Sequence, residues 1–494
     1  MRNNRLKIVG MGACLSCIAV VFAFSVNSGA HSADIIGEDS PKSVSESALS
    51  VGPPHPSLTM NRYVGVGSCA ASGCHGGEGS HGTIGSEYSI WIQQDPHASA
   101  YSVLYEPLSR QIAKNLKLGP AHRAAECLSC HAVVATPDDL TSNQRFTVAD
   151  GVGCESCHGP AANWLESHKR VGWQQLTPAQ KSAKGFWDTD DLLTRTRICG
   201  SCHVGSPGRE VNHDLIAAGH PPLKFEMSSY HERMPRHWNL QKDRRPHTPS
   251  MMAKLWVLGQ VVSAEMTALQ LAERASPHNT IWPEFSEYGC FACHHDLQPK
   301  SWRQSRGYAG RRPGDLAWGT WSMPILSTLA QATAEDKSDQ INSSIKQLAA
   351  LMGSPYTVDA EAVAGKAATA AELLSQWAET LNQRRFTDEE VLSLQKSLAS
   401  DGQSLCTTNW DAAVQVYLGL VALERSRIEN AGGGQSTENH ATVAEELDQI
   451  RSGLTFPLLK DGTRYNSPQS FGPDRTKLMQ EALEKIQSIV GEKQ

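Results

Sequence analysis

The sequence predicts a mainly α-helical protein in two parts, one crowded with cysteine and histidine and one nearly without them. Three observations predict it. Ten cysteines between Cys69 and Cys293 fall into five pairs, each followed at once by a histidine. Sixteen of the 19 histidines lie between His75 and His295, whereas the chain from residue 330 on holds only His440 and Cys406 of these two types. Beyond residue 320 the chain carries helix caps and apolar residues at 3–4 spacing, the pattern of packed amphipathic helices.

The N-terminus reads as an export signal. Arg2, Arg5 and Lys7 precede an apolar run from Ile8 to Val26, and Ser28-Gly29-Ala30 offers small residues for cleavage after residue 30. The rival readings are an uncleaved membrane anchor, since the run is nearly long enough to span a bilayer, and a lipoprotein at Cys14 or Cys17, neither of which follows a well-formed lipobox. No later segment reads as apolar enough to cross a membrane. Residues 31–61, rich in Ser, Pro and Gly, read as a disordered lead-in. The 494 residues are enough for two or three domains, and with 40% apolar and 19% charged residues the exported part is expected to be globular. A formal charge of −6 excludes a strongly basic nucleic-acid binder.

The cysteine pairs carry the chemistry. Four have the form Cys-x-x-Cys-His: Cys127 and Cys130 with His131, Cys154 and Cys157 with His158, Cys199 and Cys202 with His203, Cys290 and Cys293 with His294. Chance would give about 0.01 copies of such a pattern. A fifth pair, Cys69 and Cys74 with His75, has four intervening residues. Two thiols on one helical turn can add to the two vinyl groups of a haem as thioethers, and the histidine after the second is then held beneath the iron as its proximal ligand. The implied cofactor is covalently bound haem c, about five copies, with the haems forming much of the core of their domain. Zinc would require pairs that converge, or histidines at zinc-finger spacing. A repeated thioredoxin-like redox pair would not require a histidine after each second cysteine. A plain disulfide competes only at Cys69 and Cys74.

Eleven histidines remain for the opposite iron faces. Bis-histidine ligation would give low-spin haems of fairly low potential. The candidate distal ligands are His97, after Trp91 and Asp95-Pro96; His168, at the end of a helix-like stretch from Asn163; His213 and His220, flanking Asp214 to Gly219; and His122, which lies too close to Cys127 to serve that same haem but could serve a neighbour. His237 comes next. His295 is as well suited to hydrogen bonding as to ligation, and His81, His231, His247 and His278 read as solvent or propionate contacts.

The haem region is expected from about residue 62 to about 310. Its motif starts are 58, 27, 45 and 91 residues apart, which is not a fixed repeat. The last interval contains the clearest helix, with Thr248-Pro249-Ser250 as stop and cap. It runs from Met251 to Ala275 with Leu255, Leu258, Val262, Met266 and Leu269 on one buried face. Arg311-Arg312-Pro313-Gly314 marks a boundary, and residues 320–494 read as a haem-free helical domain. There Thr387-Asp388-Glu389-Glu390 is a capping box opening a helix through Ser400. Asp411 to Arg425 and Lys477 to Val490 are further helices, 430–438 is a Gly-rich loop, and Cys406 is most simply a buried thiol.

The segment Gly151 to Pro160, with Cys154-Glu155-Ser156-Cys157-His158-Gly159-Pro160, followed by His168, resembles the family of the tetrahaem cytochrome that accepts electrons from hydroxylamine oxidoreductase. Trp91 with His97, Ala98 and Ala100, and the motifs at Cys127 and Cys199, stand in matching order, so the resemblance covers about residues 62–205. It implies a mostly helical structure, haems in close stacked pairs and electron transfer as the activity, and it supports His97 and His168 as distal ligands. The longer first spacer, the motif at Cys290 and the haem-free C-terminal part depart from the family. One haem in that family can lack a second protein ligand, and the matching position here is the haem on His131.

The fold class is therefore a mainly α multihaem cytochrome c domain plus a C-terminal haem-free helical domain. The leading functional reading is an exported, periplasmic carrier passing electrons between redox proteins or to a membrane electron-transfer complex, with no nucleic-acid partner and with a membrane anchor if the signal stays uncleaved. Haem propionates would add negative charge suited to a basic partner. The rival is a reductase or oxidase of a small nitrogen or sulfur compound at one five-coordinate haem. No catalytic residue is assigned. A third reading, compatible with both, has the C-terminal helices docking the protein to a membrane complex.

Overall fold

The computed structural model describes residues 61–78, 83–141, 145–238, 250–277, 279, 281–290, 293–294, 315–353, 358–431, 438–455 and 472–491. The export signal with Cys14 and Cys17, the lead-in up to residue 60, His81, His247, His278, His295, residues 311–314 and the centre of the Gly-rich loop lie outside these.

The fold is mainly helical; the described residues contain no strand, only three isolated bridges. In chain order the helices are α1 Glu87–Gln94, α2 Pro107–Leu116, α3 Ala125–His131, α4 Cys154–His158, α5 Pro178–Ser182, α6 Leu192–His203, α7 His213–Ala218, α8 Met227–Arg233 and α9 Met251–Arg274. They continue as α10 Leu326–Thr333, α11 Ser338–Met352, α12 Ala360–Gln383, α13 Asp388–Thr408, α14 Trp410–Asn430, α15 Glu438–Leu454 and α16 Pro473–Gly491.

The two parts differ in how they are held. Between residues 61 and 238 the helices are short, separated by 3-10 turns, and the apolar clusters are small. From α9 onward the helices are long and share one core. The expected capping box forms: the Thr387 hydroxyl accepts from the Glu390 amide at 3.2 Å while the Glu390 carboxylate accepts from the Thr387 amide at 2.8 Å. That helix runs past Ser400 to Thr408, where Asn409 turns extended and caps α14 through its side chain. Cys406 is buried and in no disulfide. The lone C-terminal histidine, His440, is tied to buried Glu424, which also accepts from Gln395 and Arg427.

Helix α9 departs from its sequence reading. It packs most extensively against α12, and also against α6, α14 and α8. The residues expected on one face are buried except Leu269, which is 41% exposed, but so are Trp256, Val257 and Val261 on the other sides. Enclosed nearly all round, each such large side chain contributes about 1.5–3 kcal/mol of burial. The helix is long and apolar enough to cross a membrane by length and composition, against the expectation that no such segment follows the N-terminus. Yet 83% of its most apolar stretch is buried within the protein, the mark of a core helix. Ser250 precedes it in the left-handed region and makes no side-chain cap; its amide and hydroxyl are bonded instead by Asn430 of α14. The apolar core therefore continues through α9 into the Cys199 helix rather than stopping near residue 310.

Candidate functional site

Three of the Cys-x-x-Cys-His motifs are the last turn or the whole of a short helix: α3 ends at His131, α4 is Cys154–His158, and α6 ends at His203. This places both thiols and the histidine of each motif on one local scaffold, as thioether attachment needs. Gly159 ends α4 with φ +79°, and a Cβ there would lie 2.6 Å from the Gly185 carbonyl, so the His-Gly step requires glycine twice over. The buried Glu155 carboxylate accepts from the amides of Val64, Gly65 and Ala161 at 2.8–3.0 Å and so ties the extended segment at Val64 and Gly65 to the motif. Among the described residues no cysteine is in a disulfide, Cys69 and Cys74 included, and no group of three or more His, Cys, Asp or Glu side chains could hold a metal ion in the manner zinc requires.

Instead the structure sets histidines in pairs. His75 faces His168 with ring centres 6.1 Å apart, His203 faces His97 at 6.0 Å, and His131, His158 and His294 face His220, His237 and His213, each at 6.5 Å. Every motif histidine meets one histidine from elsewhere in the chain. An imidazole–metal bond is about 2 Å long, so two rings on opposite faces of one iron place their centres roughly 6 Å apart. Both rings of each pair are thus at the spacing that a shared iron requires.

The free face of the rings is selected by hydrogen bonds at the other nitrogen. Nδ1 of His75 bonds the Glu87 carboxylate at 2.9 Å and Nδ1 of His97 bonds Asp95 at 2.8 Å. His131, His168 and His220 donate from Nδ1 to the carbonyls of Ala100, Leu165 and Pro221. Each arrangement leaves Nε2 with its lone pair, the usual order at a metal-ligating histidine. Burial pushes His158 and His203 down to about 4, so both imidazoles are neutral, the form that ligates.

Local structure explains how the second histidines arrive. His97 sits on a 3-10 turn, Pro96–Ser99, capped by Asp95, and its carbonyl accepts from Val152 just before the Cys154 motif. Trp91 of α1 donates to the Val152 carbonyl at 3.1 Å and locks the same junction. His168 closes a turn by donating its amide to the Trp164 carbonyl, although the expected helix there is a run of turns. His213 opens α7, its amide held by Glu284 at 2.8 Å. His220 leaves α7 through Gly219 at φ +123°, and its amide reaches back to the Leu215 carbonyl in a glycine-terminated helix end.

One sequence candidate lies apart from the motif histidines. His122 faces no motif histidine; it stacks on Tyr105 with ring centres 4.3 Å apart, held there by the 3-10 turn Ala121–Arg123. His237, from the segment after α8, is the histidine that faces His158. His231 is buried on Trp238. Sequence reasoning also passed over Glu87, Asp95 and Glu155. A carboxylate two residues before a histidine, as in Asp95-Pro96-His97, was the available signal for the second.

The motifs lie close together. Cys69 and Cys154 lie near enough for their side chains to act on one another, as do Cys130 and Cys202. Cys157 lies near enough to Cys199 and Cys202 to act on them electrostatically. His213 and His220 sit at the two ends of α7.

Residues 69–159 match the family described as cytochrome c554 and c-prime, a stretch holding the first three motifs and His97. Cytochrome c-554 of Nitrosomonas europaea is 29% identical over 126 residues, 23% of this chain and 50% of that protein, so the chain spans about half the length of the curated relative it matches. No solved structure matches. The chain thus resembles this c-type cytochrome family, and a c-type cytochrome segment implies covalently bound haem c. The motifs at Cys199 and Cys290, and the ligand candidates His168, His213, His220 and His237, lie beyond the family match.

Proposed function

We propose that the protein is an exported electron carrier in which five haems c, each attached through one cysteine pair, are held between two histidines. The observation that carries this reading is the fivefold pairing of motif and distant histidines at 6.0–6.5 Å. Bound haem would supply the one-electron ferric–ferrous cycle. The chain's own task is to hold ten imidazoles in place and to set the potentials.

The thiol contacts support an order along the chain of centres. The first (His75) adjoins the third (His158) through Cys69 and Cys154; the third adjoins the fourth (His203) through Cys157 and Cys199; the fourth adjoins the second (His131) through Cys202 and Cys130. Helix α7 joins the second centre to the fifth (His294). Exposed Cys74 lies at one end of this series, and exposed Cys290 and Cys293 at the other, where redox proteins or a membrane electron-transfer complex would meet the haem edges. A periplasmic location follows from the N-terminal signal and from an attachment chemistry that needs an export route. The rival reading, a reductase or oxidase at one five-coordinate haem, would need an open iron, for which the resemblance points to the haem on His131; the His220 ring lies 6.5 Å from that histidine and supports the carrier instead.

The test is EPR and optical spectroscopy of the purified ferric protein, repeated after reduction with carbon monoxide. Ring planes inclined at 12° and 20° at the first and fifth centres should give rhombic low-spin signals. Planes at 70°, 86° and 86° at the other three should give strongly anisotropic ones. A high-spin signal of one haem that binds carbon monoxide would overturn the fully ligated carrier.

A further inference from the structure

Asp95 sits between two of the histidine pairs. Its carboxylate accepts from both the amide and Nδ1 of His97, at 3.0 and 2.8 Å, and its side chain is only 3% exposed. The same carboxylate acts through space on His237 and on Cys157, a ring and a thiol of the neighbouring third centre. His97 in turn lies close to Cys202 of the fourth. Glu87 differs in degree: it bonds His75 and the Gly85 amide, its side chain is 24% exposed, and it acts on His237 through space less than Asp95 does.

We infer that Asp95 is a shared positioning residue that lowers the potentials of the third and fourth centres together, the fourth by its hydrogen bond and the third through space. The inference rests on the haem-carrier reading above. A carboxylate on the far nitrogen of a ligand imidazole makes that ligand more basic and favours the ferric iron. The negative charge also favours the ferric state of any iron nearby, because that state carries one more positive charge. Solvent and salt weaken such an effect at exposed sites and far less at a buried one. The third centre has no ligand hydrogen bond of this kind: the buried Nδ1 of His158 finds no partner among the described residues. Asp95 therefore keeps the middle of the series electron-poor, so that electrons cross the third and fourth centres without resting there.

The experiment is a redox titration of the full-length loaded protein, followed by EPR and visible absorption, for wild type, Asp95→Asn and Glu87→Gln. Asparagine keeps the cap and an acceptor oxygen while removing the charge; Asp95→Ser, also a capping residue, repeats the test if the first variant loads poorly. In Asp95→Asn the ferrous-to-ferric ratio of the fourth centre should rise about tenfold at fixed potential, about 59 mV for one electron. The third centre should rise by less and the other three should stay in place. Glu87→Gln should move the first centre most, the third by less than Asp95→Asn does, and leave the fourth in place. Five low-spin centres with unmoved potentials in Asp95→Asn, or a shift confined to the fourth, would overturn the shared role and leave the carrier reading intact. A wild type lacking low-spin centres at these two pairs would overturn both.

Discussion

Replacing His220 with alanine is the sharpest perturbation of the ligand assignment. The cost to the fold is small and can be read from the local contacts. The side chain makes one hydrogen bond, from Nδ1 to the Pro221 carbonyl at 2.8 Å, and losing such a bond costs about 1 kcal/mol. The backbone around it is fixed by other groups: Asn212 caps α7, Gly219 ends it, and α7 packs on α2, where the Gly219 turn meets Leu108 and Ile112. The protein should therefore fold and load five haems, with one iron of the five lacking its second ligand. Reduced protein should bind one carbon monoxide where wild type binds none, and the ferric EPR should gain a high-spin signal of one haem. His122→Ala is the matched control, because His122 stacks on Tyr105 and faces no motif histidine. It should leave the spin state unchanged. Carbon monoxide binding in His122→Ala but not in His220→Ala would refute the pairing at this centre.

Two further outcomes are expected. Cys69→Ser should leave the first haem on a single thioether, shifting its absorption band and lowering its retention after denaturation by acid; an intact mass showing one haem too few in wild type, unchanged in the variant, would remove that site from the set. Glu155→Ala should leave three buried amides unpaired, at a cost of at least about 3 kcal/mol, and should loosen the segment at Val64 and Gly65. Trypsin cleavage after exposed Arg62 should then accelerate, and an unchanged cleavage rate would show that the carboxylate does not hold this junction.

The attachment motifs were legible in the sequence because the chemistry is local: two thiols and a histidine within five or seven residues need no knowledge of the fold. Four of the five proposed distal histidines also fall opposite a motif histidine. Each of His97, His213 and His220 has a punctuating neighbour (Pro96, Asn212, Gly219) that fixes its backbone, while His168 is fixed by its turn. His122 and His237 both follow a proline two residues earlier, and sequence alone does not show that His122 stacks on Tyr105 while His237 faces His158. The carboxylates Glu87, Asp95 and Glu155 were illegible for a related reason. A charged residue on a sequence reads as surface, and what draws these three inward, Asp95 and Glu155 fully and Glu87 in part, is contact with segments 12 to 91 residues away or with a neighbouring motif. Helix α9 misled by its periodicity: Leu255, Leu258 and Val262 do share a face, but Trp256 and Val261 are equally buried because helices close over both sides.

Helix α7 has a consequence beyond ligation. Electron tunnelling falls off exponentially with distance, so a carrier's speed depends on how well its gaps are measured out. A loop would let the gap between the second and fifth centres drift with every thermal excursion. A helix is the stiffest ruler a short chain can make, with a rise of about 1.5 Å per residue and so about 9 Å over six residues. In the proposed carrier, with His213 at its first position and His220 just past its last, the gap would be set by hydrogen-bonded geometry at both ends, and a fifth centre would be held in step with the rest.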